Sequence, residues 1–352
     1  MSMENVLIQD FKSISRSDLP FDAFRNCSFV ISGATGLIGS LLVRALLYCD
    51  GVHDLNLKIY AVVRNVEKAK QIFGEDVPAL EYIVADLATD EIAAPEDCDY
   101  IIHAAAVTTS KLMVSDPVGT IRTAIDGTEK LLKLAVEKQA KSFVYISSME
   151  IYGQPKTEGK TAEKDLGDID IGNVRSCYPE GKRMCECLCN AYASQFGLNV
   201  KSARLAQTFG AGILPTENRV FAQFARSAMN GTDIVLHTTG ESEGNYVYTA
   251  DAIRAILMLL VKGTSGEAYN IANEQSHTTI REMAQLVAER IAGNEIQVVL
   301  DIPKDSASLG YAPPVKMWLD ASKMRGLGWE PKVGMVEAYE RMIEWMNVMH
   351  AE

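Results

Sequence analysis

The chain has 352 residues, 47% hydrophobic and 23% charged, which excludes a disordered protein and allows a large core in one large or two modest domains. Its net charge of -12 excludes a nucleic-acid binder, because no surplus of Lys and Arg remains to neutralise phosphates. No apolar run approaches the roughly 20 residues of a membrane span, and Asp10, Asp18 and Asp22 interrupt the stretch where a signal peptide's apolar centre would lie.

Residues 1–24 read as a short extension, partly helical, ahead of the first core strand. From there β-branched runs alternate with helical patterns. Ser28–Ser32 precedes a helix through Leu41, Leu42 and Ala45, and Lys58–Val63 precedes a helix from Val66 to Phe73. Tyr82–Val84, Tyr100–Ile102, Phe143–Ile146 and Val200–Leu205 follow as strands, and a helix over Thr128–Lys138 puts Leu131, Leu134 and Ala135 on one face. Alternating strands and helices, with strands almost wholly apolar, predict an α/β fold: a Rossmann-type doubly wound parallel sheet covered on both faces. This dinucleotide-binding unit is expected over 25–210. Beyond it, 211–352 reads as a smaller mixed lobe that closes over the ligand. Asp233–Leu236 and Ala268–Ile271 read as strands, and segments within 233–272 return partly to the main sheet. Helices are expected over Ile280–Ile291 and Val336–Met346, with an irregular stretch around Pro303–Pro314.

Gly33-Ala-Thr35-Gly36-Leu37-Ile38-Gly39 sits between a strand and a helix, the context a phosphate cradle needs. Glycines allow a tight turn and close backbone approach, and the helix N-terminus offers unpaired N–H groups to a pyrophosphate. The end of the second strand carries Arg64 rather than an acidic residue. The cofactor is therefore NAD or NADP, with Arg64 favouring the 2′-phosphate of NADP. Asp86, followed by Leu87, is positioned to accept from an adenine amino group. Ala104 and Ala105, after His103, leave room for the cofactor backbone, and His103 itself reads as packed.

Tyr178 and Lys182 lie four apart on a helix and point the same way. A phenol has a pKa near 10; a neighbouring ammonium and an oxidised nicotinamide favour phenolate, so the pair reads as an acid/base device beside a hydride carrier. On the same helix Cys185, Cys187 and Cys189 diverge, and no Cys-x-x-Cys or His accompanies them, so no metal site is expected. Seven cysteines, an odd number without framework spacing, suit reduced thiols and a cytoplasmic location.

Ser148-Met-Glu150-Ile-Tyr-Gly153 at the fifth strand's end, with Tyr178 thirty residues after Ser148, resembles the extended short-chain dehydrogenase/reductases of the NAD-dependent epimerase/dehydratase family. The resemblance runs from about Phe24 over nearly the whole chain. It is nearest to UDP-glucuronate decarboxylases and NDP-glucose 4,6-dehydratases. Asp116–Thr123, Arg175–Arg183 and Gly326–Pro331 extend the decarboxylase likeness. The resemblance implies transient oxidation of a sugar nucleotide at carbon 4. Ser148 and Tyr178 would share the hydroxyl proton, and Lys182 would also bind the nicotinamide ribose. Glu150 would be the acid/base at carbon 5, with Arg175, Gln207 and Gln223 as substrate ligands. It also implies a homodimer through a four-helix bundle. Cys185, Leu188 and Tyr192 form an apolar stripe that fits, although an intramolecular core would use the same stripe.

Five positions depart from the family. Met149 stands where dehydratases carry aspartate, and Gly244 where an arginine usually grips the substrate diphosphate; a glycine cannot replace a bidentate guanidinium. Gln207 and Gln223 replace asparagines, and Ala124 replaces the asparagine that anchors a relay water. Arg175, Arg204, Arg219 and Arg226 are candidate replacement cations. Besides decarboxylation, the reading leaves open a 4-epimerase, a 4,6-dehydratase, an NADP-dependent carbonyl reductase on a smaller substrate, and a non-catalytic dinucleotide-bound scaffold.

Overall fold

A computed structural model describes residues 4–156, 158–302 and 315–349, with the side chains of Glu4 and Asn5 not described. The stretch read as irregular around Pro303–Pro314 lies outside the described residues.

Seven strands form one parallel sheet: β1 (Ser28–Ser32), β2 (Lys58–Val63), β3 (Leu80–Val84), β4 (Tyr100–His103), β5 (Ser142–Ser148), β6 (Val200–Leu205) and the late β10 (Glu267–Ile271). Their order is β10-β6-β5-β4-β1-β2-β3, the doubly wound arrangement the alternation predicts. Strands β1 and β6 are buried at every position, whereas the edge strand β3 alternates buried and exposed residues. That difference follows from the helices, which cover both faces of the interior strands. Residues alternating along each strand feed separate cores. Phe29 and Ile31 of β1 face one, with α2 (Leu37–His53) and α8 (Thr249–Lys262). Val30 faces the other, with α5 (Pro117–Glu137) and α6 (Cys177–Phe196).

The stripe Cys185, Leu188 and Tyr192 belongs to that second core: Cys185 is fully buried and the other two are partly buried against it. It is spent on packing α6 against the chain's own α5, and so is not a free subunit contact. The 1–24 segment is more than an appendage. Its helix α1 (Glu4–Ser15) buries Val6, Leu7, Phe11 and Ile14 in the main core, each contributing about 1.5–3 kcal/mol of apolar burial.

A second sheet, β11-β9-β7, joins Gln207–Phe209 (β7), Glu243–Tyr248 (β9) and Asn273–Thr279 (β11), with β7 parallel and β11 antiparallel to β9. Ile234–Leu236 (β8) pairs with Val298–Leu300 (β12) in a separate ribbon. Helices α3 (Val66–Phe73), α4 (Ser110–Ser115), α7 (Val220–Asn230), α9 (Ile280–Leu286), α10 (Ser322–Arg325) and α11 (Met335–Met349) complete the set named here. The helical run read over 280–291 is α9 followed by a π turn at Val287–Ile291. Asp10 of α1 ties three elements together. It accepts from the Tyr248 hydroxyl of β9 at 2.6 Å and from the Arg341 guanidinium of α11 at 3.0 Å. Burial outweighs both partners and pushes its carboxyl up to about 7.

No helix among the described residues is long and apolar enough to cross a membrane. All seven cysteines are free, and only Cys187 is exposed.

Candidate active site

The cradle forms where β1 passes into α2. Gly33 adopts φ +66°, and a Cβ there would lie 2.7 Å from the Ala105 nitrogen. A Cβ on Gly39 would lie 2.2 Å from the Gly33 carbonyl oxygen. Both positions therefore exclude every larger side chain, and the loop's backbone lies directly on the Ala104–Ala105 peptide leaving β4. Gly36 is the N-cap of α2 and supplies no side-chain cap, which leaves first-turn N–H groups for an anion. Thr35, Leu37 and Ile38 are partly exposed along this turn. The cradle fits a dinucleotide's pyrophosphate. At the end of β2, exposed Arg64 lies 3.9 Å from the Asp86 carboxylate. The other Asp86 oxygen accepts from the Ala88 N–H, and Leu87 is buried beneath α5.

Strands β1, β4 and β5 are neighbours, so the candidate acid/base residues share the sheet edge that carries the cradle. Ser148 ends β5 and caps the 3-10 turn Met149–Tyr152 by accepting from the Glu150 N–H at 3.2 Å. Its hydroxyl proton is thereby free for the phenol of Tyr178, to which it is hydrogen-bonded. Tyr178 enters on the first turn of α6, where Pro179 is tolerated because N–H groups there lack intrahelical partners. One turn on, Lys182 is buried, donates to the Ile146 carbonyl at 2.7 Å, and sits 5.8 Å from the Tyr178 ring centre.

The electrostatics differ from the sequence expectation in one respect. Burial, and then the Glu150 carboxylate, push the Tyr178 phenol up to about 12, although Ser148, Arg175 and Arg219 act downward. Burial also lowers the Lys182 ammonium to about 8. The chain's own groups therefore hold the phenol protonated, because its desolvation exceeds the help of its cations.

Glu150 is engaged. One Arg175 nitrogen donates to both its oxygens at 2.9 and 3.1 Å, and the guanidinium lies 5.7 Å from the Tyr178 ring centre. Both side chains are about one-third exposed, so the pair stands at the site's rim and a ligand can exchange with it.

Of the four candidate cations the structure removes two. Arg204 is buried and locked to Glu186 at 2.6 Å, with further bonds to the Tyr152 hydroxyl and the Glu163 carbonyl. Arg226 holds the Glu217 carbonyl and the Asn218 side chain, and Gln223 donates to the Asn218 carbonyl. These residues brace the 217–218 turn. Arg219 remains: it is half exposed, paired with Glu217 at 2.7 Å, and donates to the Gln207 side chain at 3.4 Å. Gly244 has room for a side chain, since an added Cβ would meet the Met149 methyl at an ordinary 3.7 Å. Two of the departing positions, Met149 and Gly244, thus face each other. Sequence reasoning missed this contact and missed Glu217, since neither follows from spacing. Ala124 packs against the second core and accepts at its carbonyl from Thr128 and Cys185.

Residues 29–272 match the NAD dependent epimerase/dehydratase family. The chain belongs to that family. It is 30% identical over 321 residues to UDP-glucuronic acid decarboxylase 6 of Arabidopsis thaliana, covering 91% of this chain and 88% of the relative. An epimerase of Methanothermobacter thermautotrophicus shares the fold with a TM-score of 0.77 at 21% identity, over 93% of this chain and 94% of that one. The dTDP-glucose 4,6-dehydratase of Streptomyces venezuelae, solved with NAD bound, does so with a TM-score of 0.73 at 23% identity, over 91% and 97%.

Proposed function

We propose that this family member is an enzyme that transiently oxidises the sugar of a nucleotide sugar at carbon 4 with a bound nicotinamide dinucleotide, most like a UDP-glucuronate decarboxylase. The observation that carries the reading is Ser148, Tyr178, Lys182 and the Glu150–Arg175 pair at one sheet edge with the glycine cradle. The NAD-bound dehydratase and the decarboxylase relative support the choice of cofactor and substrate class.

When bound, the dinucleotide supplies the hydride acceptor. Gly33, Thr35, Gly36, Leu37, Ile38 and Gly39 would hold its pyrophosphate, Arg64, Asp86, Leu87, Ala104 and Ala105 its adenosine side, and Tyr178 and Lys182 its nicotinamide ribose. Arg64 favours a 2′-phosphate and the Asp86 carboxylate beside it opposes one, so competition between NAD and NADP reads the balance. Tyr178, as the phenolate that a bound oxidised nicotinamide favours against the protein's own desolvation, would accept the carbon 4 hydroxyl proton while Ser148 holds that hydroxyl. The resulting ketone makes a carboxylate at carbon 5 that of a β-keto acid. Carbon dioxide would leave with its bonding electrons entering the carbonyl. Glu150, having taken a proton from solvent once Arg175 turns to the substrate, would protonate carbon 5, and Tyr178 would return its proton to the carbon 4 oxygen as the hydride is given back. Arg219, with Gln207, would take the substrate diphosphate, which stays bonded to the sugar and which an arginine at 244 would otherwise grip.

Gly244 favours one second reading, a carbonyl reductase acting on a smaller substrate, because no guanidinium projects from that position. Turnover of UDP-glucuronate and a panel of other sugar nucleotides distinguishes the two. Product without added cofactor supports the first; stoichiometric consumption of NADPH supports the second and overturns the first. A homodimer is also proposed. Val118 and Ile121 of α5 and Met184 of α6 are exposed and apolar on adjacent helices, and sedimentation as a monomer at all concentrations would overturn it.

A further inference from the structure

His103 ends β4 against the cradle, is fully buried, and has no part in the acid/base chemistry above. Both its ring nitrogens are engaged. Nδ1 lies 2.6 Å from the Ser32 hydroxyl and Nε2 lies 3.1 Å from the Thr128 hydroxyl of α5. The Thr128 hydroxyl approaches the Ala124 carbonyl at 2.6 Å and the Ser32 hydroxyl accepts from the Ala105 N–H at 3.3 Å. A proton on Nε2 gives every hydroxyl in this row an acceptor. His103 donates to Thr128, Thr128 to Ala124, and Ser32 to Nδ1, leaving the Ser32 lone pair to Ala105. The other tautomer would strand the Ser32 proton, so the row has one direction. Burial and the Lys182 charge hold the imidazole neutral, with its pKa lowered to about 3.

The end of this row is the peptide on which the cradle rests, since a Cβ on Gly33 would strike the Ala105 nitrogen and the Ala104 carbonyl carbon. We propose that His103 is a positioning residue for the dinucleotide: through Ser32 it fixes the Ala104–Ala105 peptide, and through that peptide the glycine loop. The proposal rests on the cofactor reading above and adds to it a residue that touches no ligand.

The test is NAD affinity by titration calorimetry, with melting temperature measured on the same samples. A neutral hydrogen bond is worth about 1 kcal/mol, so His103→Leu and Ser32→Ala should each weaken NAD about five- to tenfold, and the double variant little more than either. Asn places its carbonyl oxygen near Nδ1 and Gln places its amide near Nε2. His103→Asn should therefore restore affinity to within about threefold of the parent, and His103→Gln should not. Ser32→Ala removes a single oxygen and serves if the larger changes fail to fold. Parental NAD affinity in Ser32→Ala, or equal affinity in the Asn and Gln variants, overturns the proposal and leaves the cofactor reading intact. A parent that binds neither NAD nor NADP overturns both.

Discussion

The two halves of the site are held by different means. On the cofactor side, backbone packs on backbone: Gly33 lies against Ala104 and Ala105, Gly39 against Gly33, and a buried row of hydroxyls and imidazole fixes the peptide beneath. On the proposed substrate side, partly exposed cations hold carboxylates, Arg175 with Glu150 and Arg219 with the more buried Glu217. The first arrangement admits one ligand shape and tolerates little change. The second is a set of ion pairs that an anionic substrate can exchange with, and exposed pairs of this kind contribute little stability. Under the proposed function, a rigid cofactor side would stand beside an adjustable substrate side.

The largest expected effect breaks the chemistry that joins the halves. Tyr178→Phe should lower turnover by about 1,000-fold, far more than it weakens cofactor binding, read by steady-state kinetics and calorimetry. Gly39→Val tests the rigid half. With 2.2 Å to a backbone oxygen there is no space for the added carbons, and NAD affinity should fall at least about 100-fold, or the protein should fail to fold. Arg219→Ala tests the adjustable half. Charged hydrogen bonds are worth about 1.5–3 kcal/mol, so KM for the nucleotide sugar should rise roughly 10- to 100-fold with the melting temperature nearly unchanged; a large fall in melting temperature would make the Glu217 pair structural.

The smallest effect concerns the support of β9, the strand that carries Gly244. The folded Asp10 carboxyl titrates at about 7 because burial raises it, beside Tyr248, Arg341, Asp251 and Glu337. The unfolded carboxyl titrates near 4. Between these values the folded state holds a proton that the unfolded chain has released. The stabilising contribution is complete below about pH 4 and is lost as pH rises through about 7. Thermal unfolding should show stability falling by on the order of 2 kcal/mol between about pH 5 and pH 8, and Asp10→Asn should flatten that dependence.

The parallel sheet was legible because its strands are apolar on both faces and its helices amphipathic. The second sheet was not. Its strand β11 reads Asn-Glu-Gln-Ser-His-Thr-Thr, and β9 begins with Glu-Gly-Asn, neither of which has apolar alternation. The buried charge of β6 was equally hidden: Lys201 is buried with Ser142 as partner, and Arg204 is buried with Glu186, a residue 18 positions away on another element. The acid/base positions could be named from motif and spacing. Their electrostatics could not, because the rise of the Tyr178 phenol depends on burial and on Glu150, both products of the tertiary fold. The same holds for Met149 and Gly244, which meet only once the fold brings β9 to the turn after β5.

The central claim is that Tyr178 takes the proton as hydride leaves carbon 4 of a bound sugar. Single-turnover absorbance with UDP-glucuronate, and with the same substrate deuterated at carbon 4, tests it most directly. The account predicts a transient reduced-nicotinamide signal in the parent, slowed by deuterium and absent in Tyr178→Phe. Product formed at the parental rate by Tyr178→Phe, with no reduced nicotinamide at any time, would contradict it.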